Sequence, residues 1–340
     1  MLKLLRRVLI CAVGVVCAAG VACAMSIMPT HIGISVSPPF QILARMRSPI
    51  VWQNFGTWLM ITEDMPDGRI CYYYDYSSNS KVNLKTPQPG TWAPLGSAIK
   101  WLMYIDRVNG LDRLMAHDVD HHSFSIARPS AQAQVGCGFI GTDCIYGQYR
   151  AARVGDHYPV DIYRLHLTNG MWEPVCISDS EKLDFAHDGN LMVYRAHCGP
   201  ADDRICGLYF GGGGEFVIAN TNAIHPTVCG PLVAWAEARV KGYNIVAKNI
   251  STGETRTIAF TKANPPCPEA GRGAIFWEDA RNTKTGLDIY GYDWATKKEF
   301  AVTTALGDQV RLRVCDNMVT YVSGAKNLEI LWGAKIIGGL

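Results

Sequence analysis

The chain has 340 residues, of which 48% are hydrophobic and 18% charged, and its formal net charge is +2. This is ample length for a large buried core, and the composition excludes collagen-like, disordered and polytopic membrane proteins. A charge this close to zero produces no basic field, so nucleic acid is not expected as a partner.

The first segment has the pattern of an export signal. Lys3, Arg6 and Arg7 form a positive region, residues 8–21 are apolar, and residues 22–24 read Ala-Cys-Ala, a small-x-small cleavage pattern. The apolar run is shorter than the roughly 20 residues of a membrane span. We therefore predict that residues 1–24 are a cleaved signal peptide. An uncleaved anchor and lipidation at Cys23 remain the alternatives.

Export changes how the cysteines are interpreted. Nine of the twelve lie after the signal segment, an odd number that cannot pair completely within one chain. Cys198 and Cys206 flank a short stretch, so a disulfide between them is possible in an oxidising compartment. The other thiols are expected to pack as small hydrophobic groups. The sequence contains no C-x-x-C motif, so no structural zinc site is expected.

Two sets of similar positions recur along the chain at nearly equal spacing, and we call each set a ladder. Four-residue apolar runs recur every 41 to 47 residues, at 58–61, 101–104, 144–147, 191–194, 232–235, 274–277 and 318–321. Runs that do not alternate with polar residues are typical of strands buried on both faces. A second ladder of strand ends follows in step, at Asp75, Asp118, His166, Tyr209, Asn249, Asp293 and Ala334. Short outer strands are predicted after it, at 82–85, 123–127, 173–177, 215–219, 255–260 and 299–304.

Each unit of about 43 residues is too small to bury both faces alone, so the units must stack on their neighbours. Radial stacking predicts an all-β fold, a β-propeller formed by residues 25–340 as a single domain. Seven copies of the double ladder favour seven blades. Six blades with an irregular cap, or an open β-solenoid, are alternatives. The last copy has no outer strand, and the run 32–36 is predicted to supply it and to close the ring.

A hydrophobic-Trp-x-acid-x-Arg pattern occurs at residues 233–239 and 275–281, and the second copy continues to Asp-Ile-Tyr-Gly-Tyr-Asp at 288–293. These repeats resemble those of TolB-like β-propellers. The resemblance implies a propeller fold and an envelope or surface location, often with a protein-binding role. Familiar members of that family have six blades and an additional N-terminal domain.

The repeated acids and arginines, such as Glu237 with Arg239, recur in several blades and are therefore expected to stabilise hairpins locally. The run 117–122, His-Asp-Val-Asp-His-His, aligns with a turn on the rim and is expected to be solvent-exposed. The run of four glycines at 211–214 lacks the Lys-Ser/Thr of a phosphate-binding loop and is predicted to be a hairpin turn.

The candidate site lies at the predicted mouth of the channel. Loops between second and third strands share one face of a propeller with the connections between blades. This arrangement places His157, His197 and His225 of three adjacent blades on that face, with acids and an arginine in the same loops: Asp156, Asp202, Asp203 and Arg204. Imidazole and carboxylate groups suit binding, acid–base chemistry or metal ligation. Three unrelated loop histidines are the alternative.

The function predicted from the sequence is an exported binding scaffold, periplasmic or extracellular, with a protein or carbohydrate partner. No cofactor is expected, and after signal cleavage the chain is not expected to be an integral membrane protein. The chain has no G-x-S-x-G or H-E-x-x-H motif, which favours a non-enzymatic role. The alternative is a carbohydrate-active lyase or hydrolase with its site at the channel mouth.

Overall fold

Twenty-nine β-strands, arranged in seven antiparallel sheets, form the fold of the residues that the computed structural model describes. These residues are 33–55, 57–84, 93–98, 100–118, 120–121, 123–199, 202–263, 265–325 and 328–339. Within them no helix is long and apolar enough to cross a membrane. The predicted signal peptide lies outside the described residues and stays a prediction.

Six of the sheets are four-stranded blades with consecutive strands side by side. The strands of blades one and two are β3 (Ile50–Phe55), β4 (Trp58–Met65), β5 (Gly68–Asp75), β6 (Ser80–Leu84), β7 (Ala93–Ala98), β8 (Trp101–Val108), β9 (Leu111–Asp118) and β10 (Ser123–Ile126). Those of blades three and four are β11 (Gln134–Ile140), β12 (Asp143–Tyr149), β13 (Val160–His166), β14 (Trp172–Cys176), β15 (Glu181–Asp188), β16 (Leu191–His197), β17 (Asp203–Tyr209) and β18 (Glu215–Asn220). Those of blades five and six are β19 (Ala223–Cys229), β20 (Leu232–Arg239), β21 (Gly242–Asn249), β22 (Thr255–Thr261), β23 (Glu269–Gly271), β24 (Ala274–Asp279), β25 (Asp288–Asp293) and β26 (Lys298–Thr303).

The seventh blade joins the two ends of the described chain. Its C-terminal strands are β27 (Gln309–Cys315), β28 (Met318–Ser323) and β29 (Glu329–Ile337), and the free edge of β29 is paired by β1 (Ser35–Val36) and β2 (Phe40–Met46). The prediction that an N-terminal strand closes the last blade is therefore confirmed, as are the seven blades. The run 32–36 supplies only the two residues of β1, and the longer β2 was not predicted.

Seven hydrophobic clusters form the core, and each contains residues from two neighbouring blades. Phe276 belongs to the cluster between blades six and seven, whereas its neighbours Ile275 and Trp277 belong to the cluster between blades five and six. Successive side chains of a strand point to opposite faces. The apolar runs do not alternate because each of their faces is buried against a different blade.

The Trp-x-acid-x-Arg repeat forms a clamp within its own blade. In blade six the Trp277 indole donates to Asp279 over 2.9 Å, and Arg281 Nη2 donates to the same carboxylate over 2.6 Å. Trp277 and Asp279 are fully buried. The interpretation of these charges as local and structural is confirmed.

Acids at the ends of the third strands stabilise the turns that follow them. Asp75 accepts hydrogen bonds from the backbone and hydroxyl of Ser77 and from the hydroxyl of Ser78, at 2.7–2.9 Å. These bonds hold the pKa of Asp75 well below its usual range. Asp118 occupies the same place in blade two, and bonds from His121 and Lys100 lower its pKa too.

The prediction that the run 117–122 is solvent-exposed is wrong for its first two residues. His117 and Asp118 close strand β9 and are buried, and the His117 ring stacks on Phe124 with 4.1 Å between ring centroids. His121 is exposed, as expected. Val119 and His122 lie outside the described residues.

The predicted disulfide between Cys198 and Cys206 does not form in the structure, where both are free thiols. Cys206 is buried in the middle of β17 and pairs with Tyr194. Cys198 is exposed at the end of the hairpin, where its N–H donates to the carbonyl of Asp202. The cysteines lie at different levels of one hairpin, and a disulfide requires Cα atoms within about 7 Å.

Replacing the acid of the clamp should destabilise the chain. Asp279→Ala leaves the buried indole N–H of Trp277 without an acceptor, which costs about 1–3 kcal/mol of the free energy of unfolding. The matched control is Glu237→Ala in blade five, where the acid bonds Trp235 in the same way but retains some exposure to solvent. Denaturant unfolding should show a larger loss for Asp279→Ala; equal losses would contradict this account.

Acid should weaken the fold through the turn carboxylates. Because the folded-state pKa values of Asp75 and Asp118 are lowered, their contribution is complete above the unfolded-state pKa of about 4 and is lost as pH falls through the folded-state values. The Asp75→Ala/Asp118→Ala variant should melt at a lower temperature than wild type at neutral pH. The two melting temperatures should converge as the pH falls. A constant difference between the curves across that range would refute the assignment.

Candidate functional site

The loops on one face of the ring contain the candidate residues. Strand direction alternates within each blade, so the loops between second and third strands lie on the same side as the connections from one blade to the next. We call this side the channel-mouth face. His157 lies in the loop between β12 and β13, His197 is the last residue of β16, and His225 lies within β19.

A tight turn presents the first imidazole. Val154 and His157 pair through two backbone hydrogen bonds of 3.0 and 3.3 Å, which places Gly155 and Asp156 at the corners. Gly155 has a φ of 61°, a left-handed conformation that glycine adopts at little cost. The turn leaves Asp156 partly exposed and His157 buried.

Asp156, His157 and His197 meet across the boundary between blades three and four. Nδ1 of His157 lies 3.1 Å from Oδ1 of Asp156, and Nε2 of His197 lies 3.7 Å from Oδ2 of Asp156. The two rings approach edge to face, with centroids 5.2 Å apart. The predicted proximity of His157 and His197 is therefore observed.

The surroundings of His157 favour a positive charge on its ring. Nε2 lies 2.7 Å from the backbone carbonyl of Asp179, and this bond is the main reason why the pKa of His157 is raised. Asp156 contributes to the same shift. In turn, the hydrogen bond from His157 lowers the pKa of the Asp156 carboxyl.

A chain of ion pairs continues toward the channel. Nδ1 of His197 lies 2.6 Å from Asp203, and Arg195 contacts both Asp203, at 3.5 Å, and Asp184, at 3.1 Å. Asp184 lies 3.9 Å from Nδ1 of His225. His225 is therefore connected to the other two histidines through charged side chains, and the three imidazoles do not share one point.

Asp202 and Arg204 lie on the predicted face, where the β16–β17 hairpin ends. They bond each other at 2.7 and 2.9 Å, and the paired carboxylate raises the pKa of Arg204. They form a local ion pair in the same hairpin as His197 and Asp203.

The mouth opens into a cavity of about 320 Å³ that is lined by Asp184, His225, Cys267, Glu269 and Arg313, among others. Arg313 bonds Glu269 at 2.6 Å. Burial raises the pKa of Glu269 and Arg313 opposes that rise, while Glu269 raises the pKa of Arg313. The mouth therefore combines both signs of charge, as a site for polar groups requires.

Comparisons with known proteins bear on the fold. No family model and no curated protein sequence matches the chain. Among solved structures, an oligogalacturonate lyase in complex with manganese superposes with a TM-score of 0.59 at 12% identity, covering 90% of this chain and 97% of that one. Oligogalacturonate lyase from Vibrio parahaemolyticus gives 0.58 at 12%, covering 89% and 96%. TolB from Acinetobacter baumannii gives 0.45 at 14%, covering 82% and 79%.

The likenesses to the two oligogalacturonate lyases show a shared fold, and the expectation of a β-propeller is confirmed. The chain has seven blades. At such low identity the chemistry of the site must be argued from its own residues.

Three residues that contact the histidines or connect them were not found from the sequence: Asp179, Asp184 and Arg195. Of these, Arg195 could have been found from the sequence. It directly follows the fourth apolar run, so it continues that strand toward the mouth. Asp179 contributes a backbone carbonyl, which no side-chain pattern reveals. Asp184 lies in an irregular part of β15 with a φ of 53°.

Proposed function

We propose that the chain is an exported β-propeller that acts as a binding scaffold in the periplasm or outside the cell. Its recognition surface is the channel-mouth face, and its partner is a protein. The observation that carries this proposal is the set of exposed apolar side chains in the loops of that face.

Among the described residues, eight large apolar side chains on this face are at least one-third exposed, and they are distributed over blades one, two, three, five, six and seven. They are Met65, Leu111, Val154, Tyr158, Ile177, Val240, Leu306 and Leu328. Val240 and Leu306 are 101% and 86% exposed. A protein does not gain stability from apolar side chains in water, whereas a partner that covers them does stabilise the complex.

The arrangement is typical of a protein interface. The same face has exposed apolar side chains in six blades and a polar mouth that contains Asp184, His225, Glu269 and Arg313. Apolar contact provides affinity, and buried or semi-buried charges provide orientation and specificity. Seven of the eight side chains are aliphatic and only Tyr158 is aromatic, so the surface favours contact with protein side chains over stacking on sugar rings.

A carbohydrate-active lyase or hydrolase is the second candidate. It rests on Asp156 and His157, a carboxylate and an imidazole in contact, with pKa values moved in opposite directions. Such a pair suits general acid–base chemistry. Oligogalacturonate lyases have the same fold, which makes sugar chemistry compatible with this architecture but does not assign it.

The export step predicts a specific N-terminus. The protein recovered from the envelope fraction or the medium should begin at Met25, because the small-x-small pattern ends at Ala24. N-terminal sequencing or intact-mass measurement checks this. A chain that lacks residues 1–24 should stay inside the cell, and its export at the normal level would overturn the proposal of an export signal.

Site-specific photo-crosslinking tests the recognition face. A benzoylphenylalanine at Tyr158, on the channel-mouth face of blade three, should form a discrete adduct with a partner protein in intact cells. The control places the same group at Met171, which is 65% exposed in the turn between the third and fourth strands of that blade. Excess unlabelled protein should abolish the adduct at position 158.

Adducts of equal yield from both positions would show that the contact is not specific to this face. If position 158 forms no competed adduct in the compartment that holds the protein, the binding proposal fails and the second candidate gains support.

A further inference from the structure

We propose that Asp156, His157 and His197 form a binding site for one divalent transition-metal ion on the channel-mouth face. From the sequence, metal ligation was one of the chemistries open to these loops, but no metal site was predicted, because the sequence fixes no distances between the side chains. The inference rests on the hydrogen-bond partners of the ring nitrogens and on the distances among the ligand atoms. It is independent of the proposed protein partner.

Hydrogen bonds fix which nitrogen of each ring carries a proton. The Asp179 carbonyl can only accept, so Nε2 of His157 donates to it over 2.7 Å, and in a neutral ring Nδ1 carries the lone pair. The Asp203 carboxylate accepts from Nδ1 of His197 over 2.6 Å, which leaves the lone pair on Nε2. Metal-ligating histidines are usually oriented by such outer acceptors.

Both of these nitrogens lie near the same carboxylate. Nδ1 of His157 and Nε2 of His197 lie 3.1 and 3.7 Å from the Asp156 oxygens, and all three ligand groups lie within 4.8 Å of one another. When both rings are neutral, each contact joins two acceptors, and either a second proton on the ring or a bound cation between the two groups relieves that repulsion. Ligand atoms of a tetrahedral ion with bonds of about 2.1 Å are about 3.4 Å apart, which lies between the two observed distances.

The local charge and exposure also suit a dication. The network from Asp156 to His225 contains three carboxylates, of Asp156, Asp184 and Asp203, and one guanidinium, of Arg195. His157 is buried, but the Asp156 side chain is 45% exposed. An ion held by two nitrogens and one oxygen therefore keeps a position open to solvent for water or a ligand group. Two imidazoles with one carboxylate suit zinc and neighbouring divalent transition ions.

Titration calorimetry with Zn²⁺ on chelator-treated residues 25–340 tests the site. Wild type should bind one ion per chain, and His197→Ala should weaken binding by at least about 100-fold because one ligand is lost. Asp203→Ala should weaken it by about 10–100-fold, although Asp203 contacts His197 and not the ion. That second loss distinguishes a built site from casual binding by surface groups.

The matched control is His166→Ala. His166 lies on the opposite face of blade three and contacts Asp143 at 3.2 Å, so it is also an imidazole beside a carboxylate. Its replacement should leave the Zn²⁺ affinity unchanged. Circular dichroism checks that each variant is folded, and the visible spectrum of bound Co²⁺ should show nitrogen and oxygen ligation without thiolate charge-transfer bands.

Zn²⁺ affinity that is unchanged in a folded His197→Ala variant would overturn the proposal. Thiolate bands from Co²⁺ would also overturn it, because they would assign the binding to cysteines. These measurements use the purified chain alone, so they succeed or fail independently of the crosslinking result.

Discussion

Burial between neighbouring blades is the constraint on which the whole structure depends. In the described part of the chain no blade encloses a core of its own, and the seven hydrophobic clusters there all combine side chains from two adjacent sheets. A fully buried aliphatic or aromatic side chain contributes roughly 1.5–3 kcal/mol, and this contribution exists only when the next blade is in place. The closure of blade seven by β1 and β2 therefore matters beyond its few hydrogen bonds, because it completes the clusters on both sides of that blade.

The same constraint explains how much of the fold the sequence could predict. The first four residues of second strands such as β20 and β24 are all buried and apolar, so the recurrence of these runs was visible. Third and outer strands followed from their fixed distance and from turn residues. The strands nearest the channel were not located, because most of them contain register shifts and glycine, proline or polar residues. In β11 the shift falls between Gly136 and Gly138, and in β19 between Ile224 and Thr227.

The candidate site was predictable to the same partial extent. The repeat alignment placed His157 and His197 in loops of adjacent blades on one face, and they meet there. It placed His225 on the same face, but a bulge and a φ of 51° direct that residue toward the cavity beside Asp184. Distances between loops of different blades depend on how the sheets pack, and no periodicity within one chain segment records that packing. Cys198 and Cys206 illustrate the same limit. Both are free thiols, because the register of the β16–β17 hairpin pairs Cys206 with Tyr194 and leaves Cys198 at the end of the hairpin.

The position of the metal-ligand set follows from the packing below it. His197 ends a strand whose residues Met192, Tyr194 and Ala196 belong to the cluster between blades three and four. The turn that presents Asp156 and His157 leads into β13, whose Val160 and Ile162 belong to that cluster from the other side.

Two strand ends that are fixed by the same apolar cluster can move little relative to each other, because closely packed side chains resist displacement. The Asp179 carbonyl and the Asp203 carboxylate then fix the rotation of each ring. The ring of blades thus supplies what loops alone lack, a constant separation between ligands from two distant parts of the sequence. The apolar side chains on the same face require no such precision, and most of them lie in turns and connections between strands.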